Sequence, residues 1–170
     1  MPANDVADAV LPVAEPIRRP DSIARPPSAW YVRVTLLTIG ALLAGVFGVA
    51  GYLNPYGPDG TPRQMATHTQ LGLPPCNFVV MTGKPCPSCG MTTSFALLVR
   101  GDVRGSLNAN WVGTTLALFW AGLLVWSVAS ALAGRLLLIP SGRGELALTV
   151  AVGFFLVLML GRWGAILLKG

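Results

Sequence analysis

Polarity along the chain divides into three long apolar stretches, separated by polar segments rich in glycine and proline. Residues 34–53 carry no charge over twenty positions. As an α-helix that run is about 30 Å long, which matches the hydrocarbon thickness of a bilayer. Residues 105–134 are uncharged between Arg104 and Arg135, and their core at 111–133 is predicted to span. A third run, 146–161, holds sixteen uncharged residues, and it lengthens to about 166 if Arg162 snorkels toward the headgroups. Trp30 and Tyr31 open the first run and Tyr52 and Tyr56 close it, where amphipathic rings settle at an interface. The pattern predicts an all-α membrane protein with about three transmembrane helices.

The polar segments define the connections. Pro140, Ser141 and Gly142 form a turn signal, so the second and third spans are predicted to pair as an antiparallel hairpin. Asn54 to Pro62 is a run of turn residues that leads away from the first span. Met91 to Arg100 reads as a short helix, with Thr92, Thr93 and Ser94 able to cap its start and Gly101 placed to end it. Its ten residues reach about 15 Å, half a bilayer, so an interfacial or re-entrant half-helix is expected. Asp102 can cap a further turn through Asn108 that leads into the second span.

The domain organisation follows. Residues 1–30 form a tail in which six prolines lie among mixed charges, a composition predicted to stay disordered and unlike a cleavable signal. Residues 31–168 form a single membrane domain with spans near 34–53, 111–133 and 146–166. Residues 54–110 carry a cysteine loop and the short helix.

Composition supports lipid as the solvent. Hydrophobic residues make up 53% of the 170 positions and charged residues 11%, and the mean hydropathy is +0.62. These values lie well off the soluble average. The net charge of +5 raises nucleic acid as a partner, but the Lys and Arg residues sit at the ends of apolar runs and form no stripe. Flanking membrane charge explains them, and no nucleic acid is expected. Gly40, Ala44 and Gly48 fall four apart on one face of the first span, a place for another membrane protein or a second copy to approach closely.

The chemistry lies in the loop, which holds all three cysteines: Cys76, Cys86 and Cys89. The last two sit in Pro85-Cys86-Pro87-Ser88-Cys89-Gly90, and a two-residue spacer puts both sulfurs on one side of a tight turn. Spacing alone permits a shared metal or a disulfide. Gly90 suits a zinc knuckle, while the dipole of the helix that follows would lower a thiol pKa and suits redox work. Cys76 and the only histidine, His68, are candidates to complete a Cys₃His zinc site, although a lone loop histidine is more often simply solvated.

The run from Cys76 through Gly83-Lys84-Pro85-Cys86-Pro87-Ser88-Cys89-Gly90, followed by Arg100-Gly101-Asp102 and Asn108-Ala109-Asn110, resembles a widespread bacterial family of small multi-pass membrane proteins of unknown function. Its hallmark is Cys-Pro-x-Cys-Gly with a single cysteine about ten residues upstream. The resemblance covers residues 70–125 and places Cys76, Cys86, Cys89 and Gly90 on the motif positions. Where many members carry Thr-Arg after the motif, this chain has Thr92-Thr93. The resemblance implies a bacterial cytoplasmic-membrane protein and names no activity. Basic residues tie at six on each side, and the arginines before the first span point to a cytoplasmic N-terminus with an exported cysteine loop.

Three function classes follow. The first is non-enzymatic: a cysteine loop clipped by zinc or a disulfide that serves as a partner contact. It fits the lack of paired carboxylates or a nucleophile triad, since the chain has only seven acids. The alternative is a membrane thiol–disulfide oxidoreductase with Cys86 attacking and Cys89 resolving. A transporter component, using the half-helix as a re-entrant element, is the third.

Overall fold

A computed structural model describes residues 30–137 and 144–169. The predicted tail and the turn at 140–142 lie outside the described residues. The elements are α1 (Trp30–Tyr52), a 3₁₀ turn (Thr67–Leu71), α2 (Asn77–Thr82), α3 (Met91–Val99), α4 (Val103–Ala133) and α5 (Gly144–Lys169). No strand occurs among the described residues. Three helices are long and apolar enough to cross a membrane: Trp30–Tyr52, Val103–Ala133, and Leu146–Leu168 within α5, with mean hydropathies of 2.1, 2.0 and 2.0. Most of their surface faces outward, as lipid-facing helices require.

The spans pack through a short helix rather than only against one another. α3 runs beside the last turns of α1 in the same sense. Phe95 stacks on Phe47 at 5.9 Å and meets Trp120 of α4 edge-on at 5.6 Å, and Val99 lies beside Gly51. Its Met91 end meets Gly113, at the start of the spanning part of α4. Phe95, Ala96 and Leu97 are buried in this seam. Lipid tails are as apolar as these side chains, so the seam gains chiefly through close van der Waals contact. Gly113 makes that contact possible, because a Cβ there would run into the Ser94 side chain and the Met91 backbone.

Polar groups inside the seam are paired. Ser106 donates to the Ser94 carbonyl at 2.8 Å and shares a 2.7 Å hydrogen bond with Thr114, and Thr67 meets Thr93 at 2.8 Å. Unpaired, each would cost several kcal/mol in an apolar medium, on the order of 4–8 for full transfer. Arg100 closes the end of α1 by donating to the carbonyls of Ala50 at 3.2 Å and Gly51 at 2.8 Å. These are groups that a helix terminus leaves without internal partners.

One local expectation needs correction. The cap of α3 is not Thr92, Thr93 or Ser94 but Gly90, whose φ of 82° lets the chain turn sharply into the helix without a side-chain hydrogen bond. α4 carries a break at Asn110, at φ −161° and ψ 99°. The segment before the break is capped by Asp102, which accepts from the Gly105 amide at 2.8 Å as the sequence suggests. The spanning part begins at Trp111. α5 returns antiparallel to α4, with Phe155 beside Phe119 and Arg162 reaching Ala109.

Candidate functional site

The cysteine loop is built from two tight turns. Cys76 stands at the start of α2, its carbonyl accepting from Val80 N at 3.1 Å, and Gly83, with φ 68°, ends that helix. The second turn folds on itself: Cys89 N donates to the Cys86 carbonyl at 3.1 Å, and Cys86 N donates to Cys89 Sγ at 3.2 Å. Backbone amides aimed at sulfur stabilise the thiolate form. Gly90 follows in the left-handed region, and it is wedged. A Cβ there would lie 2.6 Å from the Ala109 carbonyl oxygen and 2.7 Å from that of Gln64.

These turns bring the three predicted cysteines together. Their sulfurs all lie within 4.8 Å of one another, with Cys86 Sγ and Cys89 Sγ 3.1 Å apart as free thiols. His68 lies outside that cluster but lines the same cavity of about 480 Å³, as do Met65 and Met91. Cys86 and Cys89 differ in acidity. Burial, the largest influence on Cys86, raises its pKa. Hydrogen bonds with Ser88, Cys89 and Cys76 together outweigh burial and lower the thiol to about 7. Cys89 is pushed up to about 12 by burial first and then by its hydrogen bond to Cys86.

Three further residues hold the cluster in place. Asn110, at the break in α4, donates from Nδ2 to the Cys89 carbonyl at 3.1 Å, and its Oδ1 accepts from Gly113 N at 3.1 Å as the cap of the spanning helix. Trp163 of α5 donates from Nε1 to the Pro85 carbonyl at 3.0 Å and packs edge-on against Phe78 of α2 at 5.9 Å. Arg162, which the apolar pattern carries toward the headgroups, lies level with Ala109, just before the spanning part of α4. It turns sideways, donates from Nη2 to the Ala109 carbonyl at 3.1 Å, and lies in electrostatic reach of Cys89 and Cys86. The sequence pattern assigns Asn110 and Trp163 no role and Arg162 only that of extending the span. The signals were an asparagine directly before an apolar run, a cap pattern, and an arginine inside a span, which marks a functional partner.

A family model described as protein of unknown function (DUF2752) matches residues 76–124. The match begins at Cys76 and covers the cysteine turn, α3, the break at Asn110 and the first part of the second span. It supports the resemblance to an uncharacterised family. No curated protein and no solved structure matches the chain.

Proposed function

We propose that Cys76, Cys86 and Cys89 bind one structural metal ion, zinc by the chemistry of the donors, which clips the loop onto the membrane helices and shapes it as a contact for a partner. The observation that carries this reading is the convergence of three sulfurs within 4.8 Å from two separate turns. Thiolates are ligands for zinc, with Zn–S distances of about 2.3 Å, and three sulfurs around one ion sit about 3.8 Å apart at tetrahedral angles. Small rotations bring the cluster to that spacing. His68, on the wall of the same cavity, is the candidate fourth ligand. A clip here ties α2 and the cysteine turn to α4 through Asn110 and to α5 through Trp163.

The test is metal analysis of detergent-purified protein together with a free-thiol count. One zinc per chain is expected, with the three thiols unreactive until a chelator is added, and loss of zinc in Cys86→Ser. Three reactive thiols in protein purified without chelator, with no metal, would sink the clip.

A second reading is a membrane thiol–disulfide oxidoreductase, favoured by the opposite acidities of Cys86 and Cys89 across a 3.1 Å gap. Cys86 would attack as thiolate and Cys89 would resolve the mixed disulfide. A bacterial cytoplasmic membrane with the N-terminus inside would export the loop to a compartment where disulfides persist. Recovery of a reducible Cys86–Cys89 bond, without zinc, selects this reading over the clip.

A further inference from the structure

Arg162 is the residue that neither reading uses. It lies seven positions before the end of α5, about 10 Å along the helix from its terminus. The surrounding span is apolar and mostly outward-facing. An arginine in that position is costly unless it is paired, and a long side chain near a helix end ordinarily escapes to the headgroups. Here it folds against α4. One guanidinium nitrogen, Nη2, donates to the Ala109 carbonyl. The other, Nη1, is buried and has no hydrogen-bond partner among the described residues.

Among the described residues no carboxylate pairs with it. Asp102 caps Gly105, and Asp59 binds Thr61. The groups in electrostatic reach are Cys89 and Cys86. Neutral thiols or a disulfide would leave the guanidinium uncompensated. A Cys86 thiolate or a metal–thiolate cluster would not.

Resting on the metal reading above, we propose that Arg162 is the counter-charge of the cysteine site, so that the bound species is a divalent cation held by three thiolates and one neutral ligand. The charges close: three thiolates and a 2+ ion sum to −1, and the guanidinium brings the unit to zero. A fourth ligand that carried charge would leave a net −2 centre facing one arginine. The balance therefore selects an imidazole or a water in the fourth position. It also makes the last span part of the metal site, because the neutralising group comes from α5 while the sulfurs come from the loop. Arg162 is a positioning residue: it acts on the cluster's charge and does not ligate.

The test uses full-length protein in detergent, stripped of metal under reducing conditions and titrated with Co²⁺, which reports thiolate ligation by its charge-transfer absorption. Zinc competition against a chelator then gives affinities for wild type, Arg162→Lys, Arg162→Gln and Arg162→Met, with Cys86→Ser as the ligand control. Arg162→Met keeps an unbranched apolar side chain in an apolar span and guards against a folding failure. Removing the charge should weaken zinc by about 10–100-fold, as loss of an outer-shell partner does. Arg162→Lys should recover most of that loss, and the absorption maximum should move in the neutral variants but not in the lysine variant. Equal affinity in wild type and both neutral variants would overturn the proposal. So would a lysine variant as weak as methionine, because the effect would then lie in the Ala109 hydrogen bond alone. If wild type binds no divalent ion, the metal reading itself fails and this inference falls with it; Cys86→Ser retaining wild-type affinity places the ion elsewhere and has the same consequence.

Discussion

Gly90→Ala tests the architecture of the site most directly, because the structure supplies both parts of its cost. At φ 82° an L-residue occupies the left-handed region, which carries about 1–2 kcal/mol. The added methyl would then meet the carbonyl oxygens of Ala109 at 2.6 Å and Gln64 at 2.7 Å. Both atoms are backbone, one at the break in α4 and the other in the loop, so neither can rotate away. Overpacking of this kind costs about 1–3 kcal/mol. The two parts sum to about 3 kcal/mol, a fall of about 6–12 °C in melting temperature for a chain of this size. Gly101→Ala is the matched control. Its φ of 79° is nearly the same, but nothing lies within 4 Å of its Cβ position, so only the conformational part remains, about 1.5 kcal/mol and about 3–6 °C. Thermal unfolding of both variants in detergent, followed by circular dichroism, measures the difference. Equal shifts for the two alanine variants would refute the wedge between Ala109 and Gln64.

Three other outcomes are expected. In reduced, metal-free protein, alkylation of Cys86 should rise with a midpoint near pH 7 while Cys89 stays slow until about pH 12, and Ser88→Ala should move the Cys86 midpoint upward; mass spectrometry of the labelled peptides resolves the sites. The signs for stability differ. The depressed Cys86 thiol contributes stability that is complete above its ordinary value of 9.0 and lost as pH falls through about 7, whereas the raised Cys89 thiol contributes below 9.0 and loses it as pH climbs toward about 12. Asn110→Ser should keep the helix cap but lose the bond to Cys89, whereas Asn110→Ala should lose both, for about 1 and about 2 kcal/mol respectively; similar unfolding for the two would remove the link to the cysteine turn. Gly40→Ile should destabilise the monomer by about 1–3 kcal/mol, because its Cβ position is already 3.2 Å from Ser127 Oγ and Val128. Gly48→Ile has open space and should not, so a change confined to the oligomeric state of Gly48→Ile would assign that glycine to a contact between chains.

Much of the fold is legible in one dimension because the property that selects it is local. A helix crosses lipid when enough consecutive residues are apolar, so the lengths of α1, of α4 beyond Asn110 and of α5 follow from the run of side chains alone. The Cys86–Cys89 pair is legible for the same reason, since a two-residue spacer in a tight turn leaves the sulfurs little freedom. Other features depend on partners far along the chain. Gly90 displaces the threonines as the cap of α3 because the carbonyls of Ala109 and Gln64 leave no room for a side chain. Asn110 interrupts α4 because its amide can serve two backbones at once, Gly113 ahead of it and Cys89 behind. Arg162 shows the limit most plainly: the apolar run permits a guanidinium to reach for water, and only the folded helices bring it to the Ala109 carbonyl and within electrostatic reach of the cysteines. Hydrophobic continuity is written in neighbouring residues, whereas the partners of a long charged side chain are set by what the folded helices bring beside it.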